Sequence, residues 1–514
     1  MNQLRTGAAL SYLNIFVSNL LNLLFTPFML RSLGQSGYGL YALMGALVAY
    51  MGVLDFGLGN AIIRYVAKFR AEGDAASEGA LLRVCVRIYG SIAALTLLIG
   101  ACVLPNLRSF FGATLSAAEL SDARALFILM TVNLALSFPF GAFNAVILGH
   151  ERFVFHRTVS LVRMLLRTGV LVALLLLGYK ALAIVVVDTC LNVGVGLLSI
   201  GYVRLGLGVR SHPKRFERSF IREVVFYSLY IFVNLIVDQL FWRIGHLVLG
   251  ATAGTAAVAV FAIAMQLAQY YRMFPMAVSG VFLPRITAMV VSGASERDIL
   301  ALFARTARVQ LLALAYILGG FTLFGREFLH LWAGPAYASA WQVALVVMIP
   351  LTVPLVQTVG IHIQQAKNMH QFRSLLYLAI AVANALLSVL LVRRWGALGA
   401  ALGTTVALVL GHILAMNLYY HHRIGLDMRR FARLVVTGIV PASLAAIGAG
   451  ALLTLVPGYS WPKLLARIAV FTGLYGAAMW SFGMNTYEKG LFRSALGAVG
   501  LFPQSVAARG STEQ

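Results

Sequence analysis

Apolar runs of about 20 residues recur along this chain, separated by short loops rich in arginine. Helix rises 1.5 Å per residue, so about 20 residues cross a hydrocarbon layer about 30 Å thick. A soluble core does not need such a pattern. Of the 514 residues, 60% are hydrophobic and only 11% charged, and the mean hydropathy is +0.86. The chain is expected to be an all-α polytopic membrane protein, with function carried by polar groups inside the membrane.

About fourteen spans are expected, near 8–30, 38–60, 84–104, 124–148, 159–178, 181–203, 224–250, 256–283, 309–324, 341–364, 375–392, 397–420, 434–456 and 463–482. The first apolar run is too long for a secretory signal and has no small-residue cleavage site after it. The even-numbered loops and the tails hold about 27 of the 40 basic residues, and the odd-numbered loops about 9. Both termini are therefore expected in the cytoplasm. The net charge of +23 is mostly this bias, and no soluble module is long enough to bind nucleic acid. The longest outer loop, 105–123, carries Ser116 and Glu119 at capping-box spacing, which predicts a short surface helix. Cys85, Cys102 and Cys190 form no metal or disulfide pattern. No cofactor or metal is expected, and the tail beyond Phe502 is expected to be disordered.

The two halves resemble each other. Phe16-Val17 and Leu33-Gly34 match Phe232-Val233 and Leu249-Gly250 at an offset of 216. Ala181-Leu-Ala matches Leu398-Gly-Ala, and Tyr202 matches Tyr419, at 217. Six spans per copy is an even number, so both copies point the same way. The expectation is two parallel six-helix lobes around a central cavity, plus two C-terminal helices. The corresponding segments are 1–210 (helices 1–6), 211–425 (helices 7–12), 426–485 (helices 13 and 14) and a cytoplasmic tail, 486–514.

Leu30-Arg-Ser-Leu-Gly-Gln-Ser-Gly-Tyr-Gly-Leu-Tyr-Ala42, followed by Leu54-Asp-Phe-Gly-Leu-Gly-Asn-Ala-Ile-Ile-Arg-Tyr-Val-Ala67, resembles the N-terminal signature of polysaccharide (oligosaccharidyl-lipid) flippases. These share a superfamily with multidrug and toxic-compound extruders. Leu331-Trp-Ala-Gly-Pro-Ala-Tyr-Ala338 and Arg394-Trp-Gly-Ala-Leu-Gly-Ala-Ala401 extend the likeness, which runs from about Leu10 to Leu418. The resemblance implies a transporter rather than an enzyme, in a bacterial cytoplasmic (inner) membrane. Its implied substrate is an undecaprenyl-diphosphate-linked oligosaccharide, moved to the outer leaflet for polysaccharide biosynthesis. Membrane lipids and polysaccharide-assembly proteins are the implied partners. Gly34, Gly37 and Gly39 read as a tight turn, and Gly399 and Gly403 as a close-approach face. Asp55-Phe-Gly57 matches the kinase metal-binding triplet, but no other kinase motif accompanies it.

A charge at the centre of a span costs about 2.5–3.5 kcal/mol on insertion scales, so each one needs compensation. Arg163 and Arg167 share a face at i, i+4. Arg163 starts about 6 Å into its helix, within snorkelling reach, and Arg167 about 12 Å in. Arg243 and Arg272 are also deep. An arginine cluster on a wet cavity would suit a diphosphate, because guanidinium forks match phosphate oxygens. The bland alternative is pairing with Asp188 and Asp238. Asn14, Ser18 and Asn22 form a polar stripe, and at the repeat offset Ser18 and Asn22 fall on Asn234 and Asp238. The stripe residues join the arginines as substrate-binding candidates. Asp238, near the midplane, and Asp188 are candidates to bind a coupling proton or sodium ion. His246, His362 and His412 show no metal spacing and read as helix-contact residues.

A lipid-linked oligosaccharide flippase is the leading expectation. A lipid-linked peptidoglycan-precursor flippase, or a drug or metabolite exporter of the same fold, are alternatives. Exporters of cations want acidic cavities, and this chain has more deep arginines than deep acids. A membrane polysaccharide polymerase or ligase would need a catalytic outer loop, and the outer loops are short.

Overall fold

The computed structural model describes residues 3–210, 212, 218–279, 282–367, 369, 371–455 and 458–498. Helix dominates them, and none of them is in a strand. Hydrocarbon offers the backbone no partner, so each span must bond its own peptide groups.

The first half comprises α1 (Gln3–Met51), α2 (Leu58–Glu72), α3 (Ala75–Phe111), α4 (Ala117–Gly149), α5 (Phe153–Leu176) and α6 (Ala181–Gly201). There follow α7 (Arg218–Thr252), α8 (Thr255–Ser279), α9 (Leu283–Val291), α10 (Glu296–Trp332), α11 (Ala340–Val356), α12 (Thr358–Ala366) and α13 (Gln371–Ala407). The chain closes with α14 (Met416–His422), α15 (Met428–Val436), α16 (Ile439–Ala451), α17 (Trp461–Ala478) and α18 (Thr486–Ala498).

Ten helical runs among the described residues are long and apolar enough to cross a membrane. Two of them are too long for one crossing. The run Ala9–Glu72 has 64 residues and is broken at Gly34 and again at the Phe56-Gly57 turn, and Leu375–His422 has 48 and is broken at Gly396. Gly34 takes φ 71° and Gly396 φ 52°, backbone angles that favour a residue without Cβ. Counting each broken run as two crossings and adding α7 and α8 reaches the fourteen expected from hydropathy. After Gly396 the two legs of α13 pack closely. A Cβ on Gly399 would sit 2.3 Å from Leu391 O, and one on Gly403 2.8 Å from Ser388 Oγ, the close-approach face expected from the sequence.

Two expectations change. Ser116 and Glu119 do form a reciprocal capping box, but it opens α4 rather than a short surface helix, and α4 runs unbroken to Gly149. The second span does not end near Asn60. Its helix breaks at a short turn, Phe56 and Gly57 are left-handed, and α2 then continues to Glu72. Asp55 of that turn accepts from Tyr89 Oη of α3 at 2.9 Å, so the Asp-Phe-Gly triplet is a packed turn.

Two compact units emerge, Met1–Ile263 with Tyr377–Thr404 and Ala264–Leu376 with Thr405–Gln514. In the first, α2, α3 and α4 bury a shared core that includes Ile62, Tyr65, Leu82, Tyr89 and Phe143. Phe25 of α1 meets Leu171, Leu175 and Ile184 of α5 and α6 in a second, smaller core.

In the second unit, Arg308 of α10 is a hub. Its Nε donates to Glu488 Oε1 at 2.5 Å and its Nη2 to Glu488 Oε2 at 3.1 Å. Nη1 donates to Leu434 O and Thr437 O, and Nη2 also to Gly483 O, at 2.8–2.9 Å. All five guanidinium protons are thereby used, and the Glu488 side chain is 1% exposed. This hub fixes α18, within the expected tail, to the ends of α15 and α17. Asp427 caps α15, accepting from the Arg429 and Arg430 N–H groups; the Arg430 bond chiefly holds its carboxyl below the usual range.

Removing one partner of a buried ion pair costs about 3–5 kcal/mol, because the other charge stays buried. Glu488→Gln should therefore lower the thermal unfolding midpoint of the detergent-solubilised protein sharply. A midpoint equal to that of the unaltered protein would show that the hub contributes little.

Candidate functional site

Three helices of the first unit each carry two polar residues at i, i+4, which places them on one face. They are Asn133 and Ser137 on α4, Arg163 and Arg167 on α5, and Asp188 and Asn192 on α6. Five of the six, with Tyr41 and Gly45 of α1, line a cavity of about 410 Å³. Arg167 stands at its edge in a two-pronged ion pair. Its Nε donates to Asp188 Oδ1 at 2.5 Å, and its Nη2 to Asp188 Oδ2 at 2.9 Å. The Tyr41 hydroxyl bonds the same guanidinium. Asn192 Nδ2 donates to Asn133 Oδ1 at 2.8 Å and to Asn133 O at 3.1 Å, tying α6 to α4.

Asp188 is thus neutralised by Arg167. No other described acidic residue pairs with Arg163, which lines the same cavity half-buried. The cavity has one cation in excess, beside neutral donors and acceptors. Such a lining can bind an anion, and a guanidinium can grip a phosphate by two oxygens.

The remaining candidates lie apart from this cluster. Asn14 is buried and donates to Leu10 O at 2.9 Å and to Arg157 O at 3.0 Å, a tie between α1 and α5. Ser18 Oγ accepts from Asn22 Nδ2 at 3.4 Å, and Asn22 is exposed. The side chain of Asn234 lies outside the described residues. Asp238 and Arg243, on α7, are both exposed, and no ion pair joins Asp238 to another described residue. Arg272 belongs to the second unit, where its Nη1 donates to Gln269 Oε1 at 3.3 Å. His246 is buried with its ring edge-on to Phe261 at 5.0 Å, a helix contact as expected.

Sequence reasoning singled out Arg163, Arg167 and Asp188 but not Asn133, Ser137, Asn192 or Tyr41. The signal for three of these was present in the i, i+4 spacing that drew attention to the arginines. Among the described residues no group of three metal-ligating side chains occurs.

The second unit holds a larger, mainly apolar groove of about 810 Å³ between α10, α11, α15 and α16. Arg429 is the charged residue of its lining, beside His421 and His422.

The model of the family described as polysaccharide biosynthesis protein matches residues 4–290, more than half of the chain. A Bacillus subtilis (strain 168) protein described as "Uncharacterized membrane protein EpsK" is 24% identical over 506 residues, covering 94% of this chain and 97% of that protein. A Shigella flexneri protein described as "Putative O-antigen transporter" is 23% identical over 404 residues, covering 76% and 92%. The lipid II flippase MurJ, in an inward closed conformation, superposes with a TM-score of 0.68 at 14% identity, covering 94% of this chain and 99% of that one. An inward-facing multidrug resistance MATE family transporter of the MOP superfamily gives 0.60 at 14% identity, covering 80% and 95%. At these identities the structural likeness establishes the fold alone, which this chain shares with both transporters.

The ion pair and the free arginine should separate by mutation. Arg167→Gln leaves Asp188 as a half-buried anion without its partner and should reduce the amount of folded protein in the membrane. The double change Arg167→Gln with Asp188→Asn should restore it, and Arg163→Gln should leave it unaltered. Size-exclusion profiles of the solubilised variants check all three; a double variant no better folded than the single would remove the ion-pair account.

Proposed function

We propose that this chain, which belongs to the polysaccharide biosynthesis protein family, is a flippase-type transporter for lipid-linked saccharide rather than an enzyme. The observation that carries the reading is the arginine-bearing polar cavity inside a bilayer-spanning unit of a member of that family. Arg163 costs energy in such a place, and a diphosphate would repay it. The substrate we infer is undecaprenyl-diphosphate-linked oligosaccharide, moved outwards across the bacterial cytoplasmic membrane by alternating access. The relative described as an O-antigen transporter and the structural neighbour titled lipid II flippase support a lipid-linked cargo.

In this reading Arg163 holds the diphosphate, and Arg167 is a positioning residue locked by Asp188. Arg243, Arg272, Ser18, Asn22 and Asn234 belong to the substrate path, and Asn14 braces it. The apolar groove of the second unit suits part of the lipid chain, with Arg429 at hand for phosphate. Two parallel copies, 1–210 and 211–425, rock against each other, and both termini face the cytoplasm, where assembly proteins can reach them. Asp188 is occupied by Arg167, which leaves Asp238 as the better acid for a coupling proton or sodium ion.

Two measurements in proteoliposomes test this. With a fluorescent farnesyl-diphosphate-linked saccharide as probe, Arg163→Gln should slow translocation at least about tenfold. Arg163→Lys should recover only part, because a point charge cannot reproduce the two-pronged grip. A peptidoglycan-type disaccharide probe moved faster than a polysaccharide-type one would favour the precursor-flippase alternative. Asp238→Asn should abolish stimulation by an imposed proton or sodium gradient while leaving probe binding intact. Full stimulation in that variant would exclude Asp238 as the coupling site.

A further inference from the structure

A cluster of hydrogen bonds away from the arginine-bearing cavity ties helices of the first unit together. Glu119 sits in the first turn of α4, and its Oε2 accepts from Ser116 N and Ser116 Oγ, each at 2.9 Å. That oxygen serves the helix's own cap. The other oxygen, Oε1, reaches two different segments. It accepts from Ser36 Oγ, just past the Gly34 break in α1, and from Thr255 Oγ1, at the start of α8, at 2.8 Å. Thr255 Oγ1 also lies 3.2 Å from Ser36 Oγ.

The surroundings repeat the tie. Thr114 Oγ1 donates to Gly250 O at 2.5 Å, and Gln35 Nε2 to Ala256 O at 3.4 Å. Gly39 lies so close to α8 that a Cβ there would be 1.9 Å from Thr255 O. On Gly250 a Cβ would be 2.5 Å from the Leu43 side chain. Ser36, Thr114 and Glu119 come from the first copy of the repeat, and Gly250 and Thr255 from the second. All lie at the end of the helices that the basic-residue bias assigns outside.

We propose that Glu119 is the latch of an extracytoplasmic gate: its carboxylate holds the first and second repeat copies together, and release to the outer leaflet requires the bonds to Ser36 and Thr255 to break. The proposal rests on the flippase reading and adds the residue that gates it. The arrangement suits a reversible contact. Ser36 is exposed and Glu119 half-buried, so water can replace each bond as it opens. The carboxylate needs no partner charge, because a helix N-terminus and three hydroxyls satisfy it. Capping alone would explain the bonds to Ser116 but not those to Ser36 and Thr255. In Leu43, which packs against Gly250 and is 0% exposed, the latch has a residue whose accessibility reports its state.

The test uses the full chain with Cys85, Cys102 and Cys190 replaced by serine or alanine. In a Ser36→Cys, Thr255→Cys variant, oxidation by diamide joins the two thiols as a disulfide, the diamide taking up the two protons and two electrons. That bond should stop probe translocation, and dithiothreitol should restore it. Separately, Leu43→Cys is labelled by a membrane-impermeant maleimide from outside. Glu119→Ala should speed labelling about tenfold, as expected of a shifted two-state equilibrium. Ser116→Ala, which removes only the hydroxyl of the cap, should not change it. Unaltered translocation in the cross-linked protein, or equal acceleration by Ser116→Ala and Glu119→Ala, would overturn the latch. If unmodified protein moves no probe, the flippase reading fails while the labelling arm still decides the gate.

Discussion

Inside hydrocarbon a peptide group has no water to bond, and leaving one unsatisfied costs several kcal/mol. Everything else in this protein follows from how the chain meets that demand. Backbone satisfaction makes every crossing a helix and leaves the side chains to decide what each helix does. Breaks are confined to places where a residue can turn without exposing unpaired groups, as at Gly34, Gly396 and the Phe56-Gly57 turn that Tyr89 braces through Asp55. Many described hydroxyls in the spans bond their own helix, as Thr26, Thr96 and Thr189 do to the carbonyl four residues back. Polar groups that bond another helix are therefore informative, because they fix two spans in one register.

The two stretches paired by the sequence offset solve one such contact differently. At the spacing of 217, Arg167 corresponds to Asn384 and Asp188 to Thr405. The first copy joins its fifth and sixth spans by an ion pair facing a cavity. In the second, Asn384 is fully buried, donates to Phe241 O at 2.9 Å and accepts from Thr404 Oγ1 at 3.3 Å. A polar tie joins these spans in both stretches, and in the first it is charged and faces a cavity. Neutral hydrogen bonds can hold two helices, so the ion pair does more than the tie requires.

The sequence made the fold legible because bilayer thickness imposes a length that hydropathy can count. The Gly399–Gly403 close approach and the Ser116–Glu119 cap were readable for a related reason: each depends on neighbours a few residues away. What escaped depends on distance along the chain. The second and third roles of Glu119 engage Ser36 and Thr255, 83 and 136 residues away, and no local pattern encodes those partners. Likewise, the cost of a charge in a span drew attention to Arg163, Arg167 and Asp188, whereas Asn133 and Asn192, neutral and 59 residues apart, raised no such alarm. Cost also pointed equally to residues that the structure treats unequally. Arg167 is neutralised, Arg163 is not, and hydropathy cannot tell the two apart.

That difference bears on energetics under the proposed function. The inside-negative membrane potential is worth about 2.3 kcal/mol per charge per 100 mV, and it favours outward movement of an anion. A diphosphate carries about two negative charges, and a single unpaired arginine moving with it cancels only one. Had Arg167 also been free, the loaded site would be nearly neutral and the potential would do no work on it. Locking Arg167 to Asp188 keeps the moving complex negative, so the potential drives the loaded step. On this account a bound coupling ion at Asp238 would add to a bias already present, and the ion pair sets the direction of transport as well as the register of two helices.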